Sequence, residues 1–434
     1  MSESLRIAFV SMHTSPADLP GSGDAGGMNV VEYHQAFALA RLGHRVDLIT
    51  RRSDPAQPDV AELSTGVRLL HLPAGPPARL AKSLIDAHIE EFSAALALLE
   101  PYDVLHSHHW MSGVAALPVA REWGVAHVQS FHSVAALPGS ALSEGEPPES
   151  PARVPGERLV ATQSDGVIAI SAAEARTVVE RCGADPDRVV IVPPGVDRSI
   201  FHANPDPLVE TAPPVEPVET APLVEPVETA APVELVETQV STSSTSEGSP
   251  NPNGYLLYAA RLQPLKGPDL AVRALAEVPE QLRPDLLIAG DVSVDFAAYE
   301  AELHALVDAL GLGGSVRFIG PQARVDLARL MRGARIVLVP SHSETFGLIA
   351  LEAESCGTPV IASAAGGLRE AVVHGETGQL MDSRQPEDWG TAITRLLAKP
   401  WRLDRMGIVA QIHARRFDWN WTAELLVAHY RRWL

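Results

Sequence analysis

The clearest chemical pattern in the chain is the segment 340–352, Pro-Ser-His-Ser-Glu-Thr-Phe-Gly-Leu-Ile-Ala-Leu-Glu. A predicted strand ends before it at Val339, and a predicted helix begins near Gly347, so free N–H groups of the helix can bind a phosphate. Glu344 and Glu352 lie on either side of the helix start, and a carboxylate accepts two hydroxyl donors well. The pattern predicts a site for sugar or ribose hydroxyls beside a phosphate; two solvated glutamates are the alternative.

Two cations, Arg261 and Lys266, follow a strand predicted at 255–259. Ligands of parallel α/β sheets bind beyond the carboxyl ends of the strands, and two cations five residues apart suit a pyrophosphate. Lysine is rare in this chain, since Lys82, Lys266 and Lys399 are the only three. We therefore predict an anion site in this loop, with a solvated loop as the alternative.

A glycine-rich loop lies between the first predicted strand and the first predicted helix. Gly21, Gly23 and Gly26 have the Gly-x-Gly-x-x-Gly spacing of a dinucleotide-binding loop. That motif requires its first glycine directly after the strand, whereas the predicted strand ends near Val10, about ten residues earlier. NAD binding is therefore disfavoured. The loop is predicted to bring backbone N–H groups close to an anion or a sugar, with a plain surface turn as the alternative.

Histidines also follow predicted strands. His106 and His108 are two residues apart and share one face, which is compatible with a metal ion. No third ligand is evident nearby, so the sequence predicts no metal site. His132 follows the next predicted strand, either as a core histidine or as a hydrogen-bonding group of an active site.

The elements that must position these residues alternate between short strands and helices. In the first part they are predicted at 5–10, 29–42, 45–50, 104–106, 113–122, 127–130, 166–170 and 188–192. After residue 253 the alternation restarts, with elements at 255–259, 269–277, 285–289, 299–310, 316–319, 325–331, 336–339, 347–356 and 360–362. This order predicts two doubly wound parallel α/β domains. A final helix at 418–434 is predicted to pack across the domains.

Residues 204–253 interrupt the two domains with a different composition. They hold nine acids, ten of the 36 prolines and no lysine or arginine. Val-Glu-Thr recurs there with a nine-residue period, at 209–211, 218–220, 227–229 and 236–238. Proline-rich acidic repeats favour an extended, disordered linker over a structured module, which is the alternative. The linker would join an N-terminal domain, 1–203 with 416–434, to a C-terminal domain, 254–415.

Charge and cysteine content exclude several classes of protein. The 434-residue chain has a net charge of −20, which disfavours a nucleic-acid partner. Cys182 and Cys356 give neither a disulfide framework nor a zinc motif. The N-terminus has no signal-peptide pattern, and no uncharged apolar run reaches about 18 residues. We expect a cytoplasmic protein without a transmembrane segment.

These motifs together resemble the retaining glycosyltransferases of family 4, which have the GT-B fold: two Rossmann-like domains that face a cleft, with a C-terminal helix crossing back to the first. The resemblance rests on Glu344-x7-Glu352, Arg261-x4-Lys266 and Gly26-Gly27, and it covers the chain outside 204–253. Within the family it is similar to the subfamily that glycosylates 1D-myo-inositol 3-phosphate in mycothiol biosynthesis. The segments that carry this are 11–16, 23–29, 106–108, 148–150 with Arg153, and 193–197.

The resemblance implies transfer of N-acetylglucosamine from a UDP-sugar, with no cofactor required. Arg261 and Lys266 would hold the pyrophosphate, Glu352 the ribose and Glu344 the sugar hydroxyls. The implied catalytic residues are His132, Arg261, Lys266 and Glu344. The implied donor site is His13, Gly27, Arg261, Lys266, Glu344, Phe346, Gly347, Leu348 and Glu352. The implied acceptor site is Asn29, Lys82, His109, Ser133 and Arg153.

Several residues depart from the subfamily pattern. His109 replaces a tyrosine, Ser133 replaces a threonine, and Glu32 puts a charge where a neutral residue is usual. These changes leave the donor site intact and leave the acceptor open. The alternatives are another acceptor, such as a cell-envelope lipid or a small metabolite, and an inactive sugar-nucleotide-binding protein. Small-molecule substrates are the expected partners, while a peripheral membrane contact and a homodimer stay open.

Overall fold

Two separate sheets organise the chain in the computed structural model, which describes residues 4–18, 25–136, 150–203, 251–292 and 296–434. In that part of the chain, strands of the first sheet lie between residues 6 and 191, and strands of the second lie between 255 and 381. Nearly all neighbouring strands are parallel, so each sheet requires crossover helices on its faces.

The first sheet has the strand order β3-β4-β2-β1-β5-β6-β7-β8 in the described residues, and only β3 runs antiparallel to its neighbour. Its strands are β1 (Arg6–Ser11), β2 (Arg45–Arg51), β3 (Val60–Ser64), β4 (Val67–Leu72), β5 (Val104–His108), β6 (Ala126–Ser130), β7 (Gly166–Ala169) and β8 (Val189–Ile191). The helices among them are α1 (Gly27–Arg41), α2 (Lys82–Ile85), α3 (Ile89–Ala97), α4 (Trp110–Trp123), α5 (Arg153–Gln163) and α6 (Ala172–Thr177).

The second sheet has the order β11-β10-β9-β12-β13-β14, and all its pairings are parallel. Its strands are β9 (Tyr255–Ala259), β10 (Asp285–Ala289), β11 (Val316–Gly320), β12 (Ile336–Val339), β13 (Val360–Ser363) and β14 (Gly378–Met381). The helices that follow residue 251 are α7 (Pro268–Ala276), α8 (Tyr299–Ala309), α9 (Arg324–Gly333), α10 (Leu348–Ser355), α11 (Leu368–Ala371), α12 (Pro386–Leu397), α13 (Pro400–Ala414) and α14 (Trp419–Trp433).

Both faces of each central strand are buried, which explains why these strands are continuously apolar. Side chains alternate between the two faces of a strand. In β1, Ile7 and Phe9 therefore pack into one apolar cluster, and Ala8 and Val10 pack into another on the opposite face. The strands end in polar or glycine-rich loops, and these loops carry the candidate site.

The C-terminal helix α14 returns to the first sheet. Trp419, Leu426 and Tyr430 belong to the apolar cluster that also contains residues of β1 and α1. The indole of Trp419 stacks on the ring of His34 of α1, with centroids 5.2 Å apart. The predicted packing of this helix across the domains is confirmed.

The predicted fold is confirmed, and β9, β10 and β12 match their predicted bounds to the residue. The alternating pattern missed three strands, β3, β4 and β14, and the helices α2, α3, α5, α6, α11, α12 and α13. The proposed linker falls largely on residues 204–250, outside the described part, so the domain boundaries stay predictions. No helix in the described ranges combines the length and apolarity needed to cross a bilayer.

Candidate active site

A cavity of about 410 Å³ lies between the two sheets, lined by loops that follow the carboxyl ends of strands from both. This is where parallel α/β sheets bind ligands, and the volume suits a small-molecule substrate. Arg153 is the one predicted site residue that does not line the cavity. The predicted residues that line it are His13, Gly27, Asn29, Lys82, His109, His132, Ser133, Arg261, Lys266, Glu344, Phe346, Gly347, Leu348 and Glu352.

Lys266 and Glu344 meet on the side of the cavity formed by the second sheet. The Lys266 ammonium donates to Glu344 Oε2 at 2.7 Å, and the Ser341 hydroxyl donates to the same oxygen at 3.3 Å. Both charged side chains are about one-fifth exposed, at 18% and 20%. The pair places one cation and one carboxylate at the cavity wall, where they can contact a phosphate and a sugar hydroxyl.

Glu352 lies on α10 and is almost fully buried. Burial raises the pKa of its carboxyl, and the Arg324 guanidinium, which donates to Oε1 at 2.8 Å, opposes that shift. The helix begins after Gly347, whose φ of +108° favours glycine, and a Cβ there would lie 2.6 Å from Leu368 Cδ2. The free N–H groups of α10 thereby lie at the cavity, beside Glu352.

Arg261 extends from the end of β9 to the glycine loop of the first domain. A Cβ placed on Gly26 would lie 3.6 Å from Arg261 Nε, so the guanidinium lies against this backbone. Gly26 precedes α1, which begins at Gly27, while β1 already ends at Ser11. This separation of strand and helix agrees with the argument against a dinucleotide motif; Gly21 and Gly23 lie outside the described residues.

Two histidines of the first domain form the opposite wall. The rings of His13 and His109 are 4.3 Å apart, and both nitrogens of His109 are buried without a hydrogen-bond partner in the described chain. Burial lowers the pKa of both imidazoles well below the usual value, and the Lys82 ammonium is the next contribution. Both rings are therefore neutral at pH 7 and act as hydrogen-bonding groups.

Asn29 is buried, and its side chain forms hydrogen bonds with the loops around it. Its side-chain amide donates to Thr14 Oγ1 at 2.9 Å and to Ser15 O at 2.7 Å. Its side-chain oxygen accepts the Gly26 N–H at 2.9 Å. Asn29 thus lines the cavity while it uses both of its N–H groups to fix the cavity wall.

Arg153 lies behind Ser133, one layer away from the cavity. Its guanidinium donates to Ser133 Oγ at 3.2 Å and pairs with Glu157 at 2.8 Å. Glu157 also accepts the N–H of Ala135 at 2.9 Å. Arg153 therefore anchors the loop that carries Ser133.

His132 connects the two domains. Its φ of +58° lies in the left-handed region, which is rare for a residue with a side chain. Its carbonyl accepts the Thr345 hydroxyl of the second domain at 2.6 Å, and its Nε2 lies 2.8 Å from His108 Nδ1. Burial lowers the pKa of His132 to about 3, so its imidazole is neutral. These contacts favour the active-site interpretation over the core one.

The strand histidines share one face as predicted, with the rings of His106 and His108 4.3 Å apart. His106 has partners at both nitrogens, Tyr430 at 2.7 Å and Ser130 at 2.9 Å, so it is a core histidine. The residues that could hold a metal ion are instead Glu32, His108 and His132, whose ligand atoms lie within 4.8 Å of one another. The sequence did not indicate this combination.

Three further charged residues of the cavity, Glu174, Arg181 and Arg324, were missed. Glu174 lines it, and burial raises the pKa of its carboxyl to about 7. A signal existed, because Ser171-x-x-Glu174 is a helix-capping pattern and Ser171 Oγ accepts the Glu174 N–H at 3.0 Å. Arg324, which pairs with Glu352, and Arg181 had no local signal.

Comparison with known proteins identifies two family regions. Residues 26–195 match the glycosyl transferase 4-like domain, and residues 240–412 match the glycosyl transferases group 1 family. The chain is 39% identical to a D-inositol 3-phosphate glycosyltransferase of Thermomonospora curvata, over 98% of this chain and 95% of that protein. A protein of the same name from Kineococcus radiotolerans is 40% identical, with the same two coverages.

A solved structure matches the whole fold. Sucrose-phosphate synthase from Thermosynechococcus elongatus superposes with a TM-score of 0.82 at 26% identity, over 99% of this chain and 98% of that one. The similarity thus extends through both sheets. The chain belongs to the family 4 glycosyltransferases of GT-B fold, in the group that contains the D-inositol 3-phosphate glycosyltransferases, and is a glycosyltransferase.

Proposed function

We propose that the protein transfers N-acetylglucosamine from a UDP-sugar to a hydroxyl of 1D-myo-inositol 3-phosphate, with retention of the anomeric configuration. The observation that carries the proposal is one cavity with cations on both walls. Arg261 and Lys266 belong to the second domain, and Lys82 belongs to the first. Opposed cations suit two phosphorylated substrates that meet between the domains.

The donor side is supported by its charges and by α10. Lys266 and Arg261 neutralise the pyrophosphate, and the positive end of α10 adds backbone N–H donors. Glu352 accepts the ribose hydroxyls, because Arg324 keeps one of its oxygens oriented. Glu344 accepts hydroxyls of the sugar from its place beside Lys266.

The acceptor side is supported by the names of the relatives, which match over nearly the whole chain. Lys82 supplies the positive charge for a phosphate, while His109 is neutral and contributes a single N–H donor. Ser133 offers a hydroxyl that Arg153 holds in place. These groups supply a cation and hydrogen-bonding side chains for a phosphorylated polyol.

If the configuration is retained, the engagement of the cavity carboxylates supports front-face attack over a double displacement. Among the described residues that line it, Glu344 is paired with Lys266, and Glu352 is paired with Arg324. Glu174 accepts the Ile170 N–H, and its raised pKa keeps much of it protonated. A double displacement needs an unengaged carboxylate nucleophile, which favours attack by the acceptor on the face that UDP leaves.

In this mechanism the bond between the anomeric carbon and the phosphate oxygen breaks as the acceptor oxygen bonds to the same carbon. The acceptor proton passes to the departing phosphate oxygen. Lys266 and Arg261 stabilise the charge that develops there, which is electrostatic catalysis. His132 is neutral, so it orients a sugar hydroxyl by hydrogen bonding.

A different acceptor is the second candidate, and His109 is the observation that favours it. Both its ring nitrogens lack a partner in the described residues, and its ring packs against His13. A neutral donor at this position can contact a hydroxyl as well as a phosphate. A cell-envelope lipid or a small metabolite would then replace the inositol phosphate.

Release of UDP from UDP-N-acetylglucosamine and UDP-glucose tests the proposal, with inositol 3-phosphate, myo-inositol or water as acceptor. We expect turnover above the water rate with UDP-N-acetylglucosamine and inositol 3-phosphate. Lys82→Ala should raise the KM for the phosphorylated acceptor, and Lys399→Ala, an exposed lysine outside the cavity, is the matched control. If inositol 3-phosphate releases no more UDP than water does, the acceptor assignment is wrong; an inverted product in the proton NMR spectrum would refute retention.

A further inference from the structure

Three donor groups from separate parts of the first domain converge beside the cavity. Glu32 lies on α1, His108 is the last residue of β5, and His132 follows β6. His108 Nδ1 lies 2.8 Å from His132 Nε2 and 3.6 Å from Glu32 Oε1. All three ligand atoms lie within 4.8 Å of one another. No local sequence pattern brings them together; the parallel order of the sheet does.

Glu32 poses an electrostatic problem. Its side chain is fully buried, and neither carboxylate oxygen has a hydrogen-bond partner in the described residues. The neighbouring Ser11 hydroxyl donates to the Thr14 carbonyl instead. A buried carboxylate without a partner costs several kcal/mol, so this group requires a bound proton or a cation.

We propose that Glu32, His108 and His132 bind a divalent transition-metal ion of the zinc class. Two imidazoles and one carboxylate are a donor set typical of Zn²⁺, whereas Mg²⁺ and Ca²⁺ prefer oxygen ligands. With tetrahedral bonds of about 2.0–2.1 Å, the donor atoms would lie about 3.3–3.4 Å apart. The distances of 2.8 Å and 3.6 Å lie on either side of that spacing, so the ion requires the two rings to separate by about half an ångström.

The ion reaches this site from the cavity, because His132 lines the cavity wall. Water from the cavity fills the fourth position, as in zinc sites with three protein ligands. The backbone of His132 is already held by the Thr345 hydroxyl at 2.6 Å, so only its ring has to move. His106 cannot compete for the ion, because Tyr430 and Ser130 occupy both its nitrogens.

The ion would hold His132 through Nε2 and shift its ring from the position in which it orients the sugar hydroxyl, so it would inhibit transfer; this consequence, unlike the binding itself, rests on the proposed function. Binding of the ion by these three residues would therefore regulate the transferase. Glu32 determines the affinity for the ion, since two histidines alone form a weaker site.

Metal titration of the chelator-treated full-length chain, without any sugar nucleotide, tests the site. Zn²⁺ is followed by calorimetry and Co²⁺ by its visible spectrum. We expect one tightly bound ion per chain, bound at least about tenfold more weakly by Glu32→Gln. Glu354→Gln is the matched control, since Glu354 is also a buried glutamate with one unpartnered oxygen but lies beside His413. This control should bind the ion as the wild type does.

Absence of a tight site in the wild type, or equal affinity in Glu32→Gln, overturns the proposal. Circular dichroism checks that Glu32→Gln is folded. If it is not, X-ray absorption of the zinc-loaded wild type decides, and a shell without two imidazoles and one carboxylate refutes the site. Because no substrate is present, these outcomes leave the proposed transferase activity untouched. Zinc inhibition of UDP release that Glu32→Gln relieves would support the regulatory consequence.

Discussion

Replacing Glu174 with glutamine should remove a pH dependence of stability that the wild type carries. Glu174 Oε2 accepts the Ile170 N–H at 2.7 Å, while Oε1 is buried without a partner in the described residues. Burial is the main cause that raises the pKa of this carboxyl, from 4.5 to about 7; the backbone hydrogen bonds from Ile170 and His132 oppose it. Glutamine keeps the shape and the acceptor for Ile170 but cannot ionise.

The sign and the size follow from linkage. The carboxyl is easier to protonate in the folded state, so its contribution is fully present below the unfolded pKa of 4.5 and is lost as the pH rises through about 7. At about 1.4 kcal/mol for each pKa unit, the loss amounts to about 3 kcal/mol. Most of it falls between about pH 5 and pH 8.

Urea unfolding of the wild type and Glu174→Gln from pH 5 to pH 8, with a chelator present, measures this difference. The free energy of unfolding of the wild type should fall relative to the variant by about 2–3 kcal/mol across the range. Other titrating groups cancel in the difference between the two proteins. If the free energies of unfolding of the two proteins change in parallel with pH, or if that of the wild type rises relative to the variant, the argument that Glu174 is buried and neutral in the folded protein is refuted.

The remaining predictions concern cavity charges and the domain contact. Lys266→Ala should lower turnover by about 100-fold or more, because the departing phosphate loses a cation; its melting temperature should barely change, since the pair with Glu344 is partly exposed. Arg324→Gln should lower the free energy of unfolding by about 3 kcal/mol, because Glu352 stays buried without its cation; adding Glu352→Gln should restore much of the loss. The Glu370 carboxylate accepts the N–H groups that open α6 at 2.9 Å and 3.0 Å. Glu370→Gln should therefore widen the domain opening in small-angle scattering and raise KM at an unchanged melting temperature, and an unchanged radius of gyration would count against it.

Local sequence patterns predicted the parts of the fold that local chemistry determines. The apolar runs at 255–259 and 336–339 became central strands, because both faces of a strand in a parallel sheet are buried. The strands β3, β4 and β14 were missed. β3 is an edge strand with exposed and half-buried residues, so it lacks the apolar run on which the prediction depended.

In the cavity, too, some residues could be predicted from the sequence and others could not. Arg261, Lys266 and Glu344 stand in loops that directly follow strands, so their common edge could be predicted from chain order. Arg324 comes to Glu352 from a helix 28 residues earlier, and only the packing of α9 on α10 brings them together. Glu32 was noted as an unusual charge, but its closeness to His108 and His132 depends on how α1 packs on the sheet.

The net charge of −20 therefore does not describe the cavity. Nine of the acids lie in the segment 204–253, of which the structure describes only residues 251–253. Two of the three lysines in the chain line the cavity; burial is the main cause that lowers the pKa of His13 and His109, and the Lys82 ammonium adds to it. Since salt screens distant charges over about 8–10 Å, the local cations set the potential that a substrate meets, and phosphorylated ligands should bind this acidic protein less tightly as the salt concentration rises.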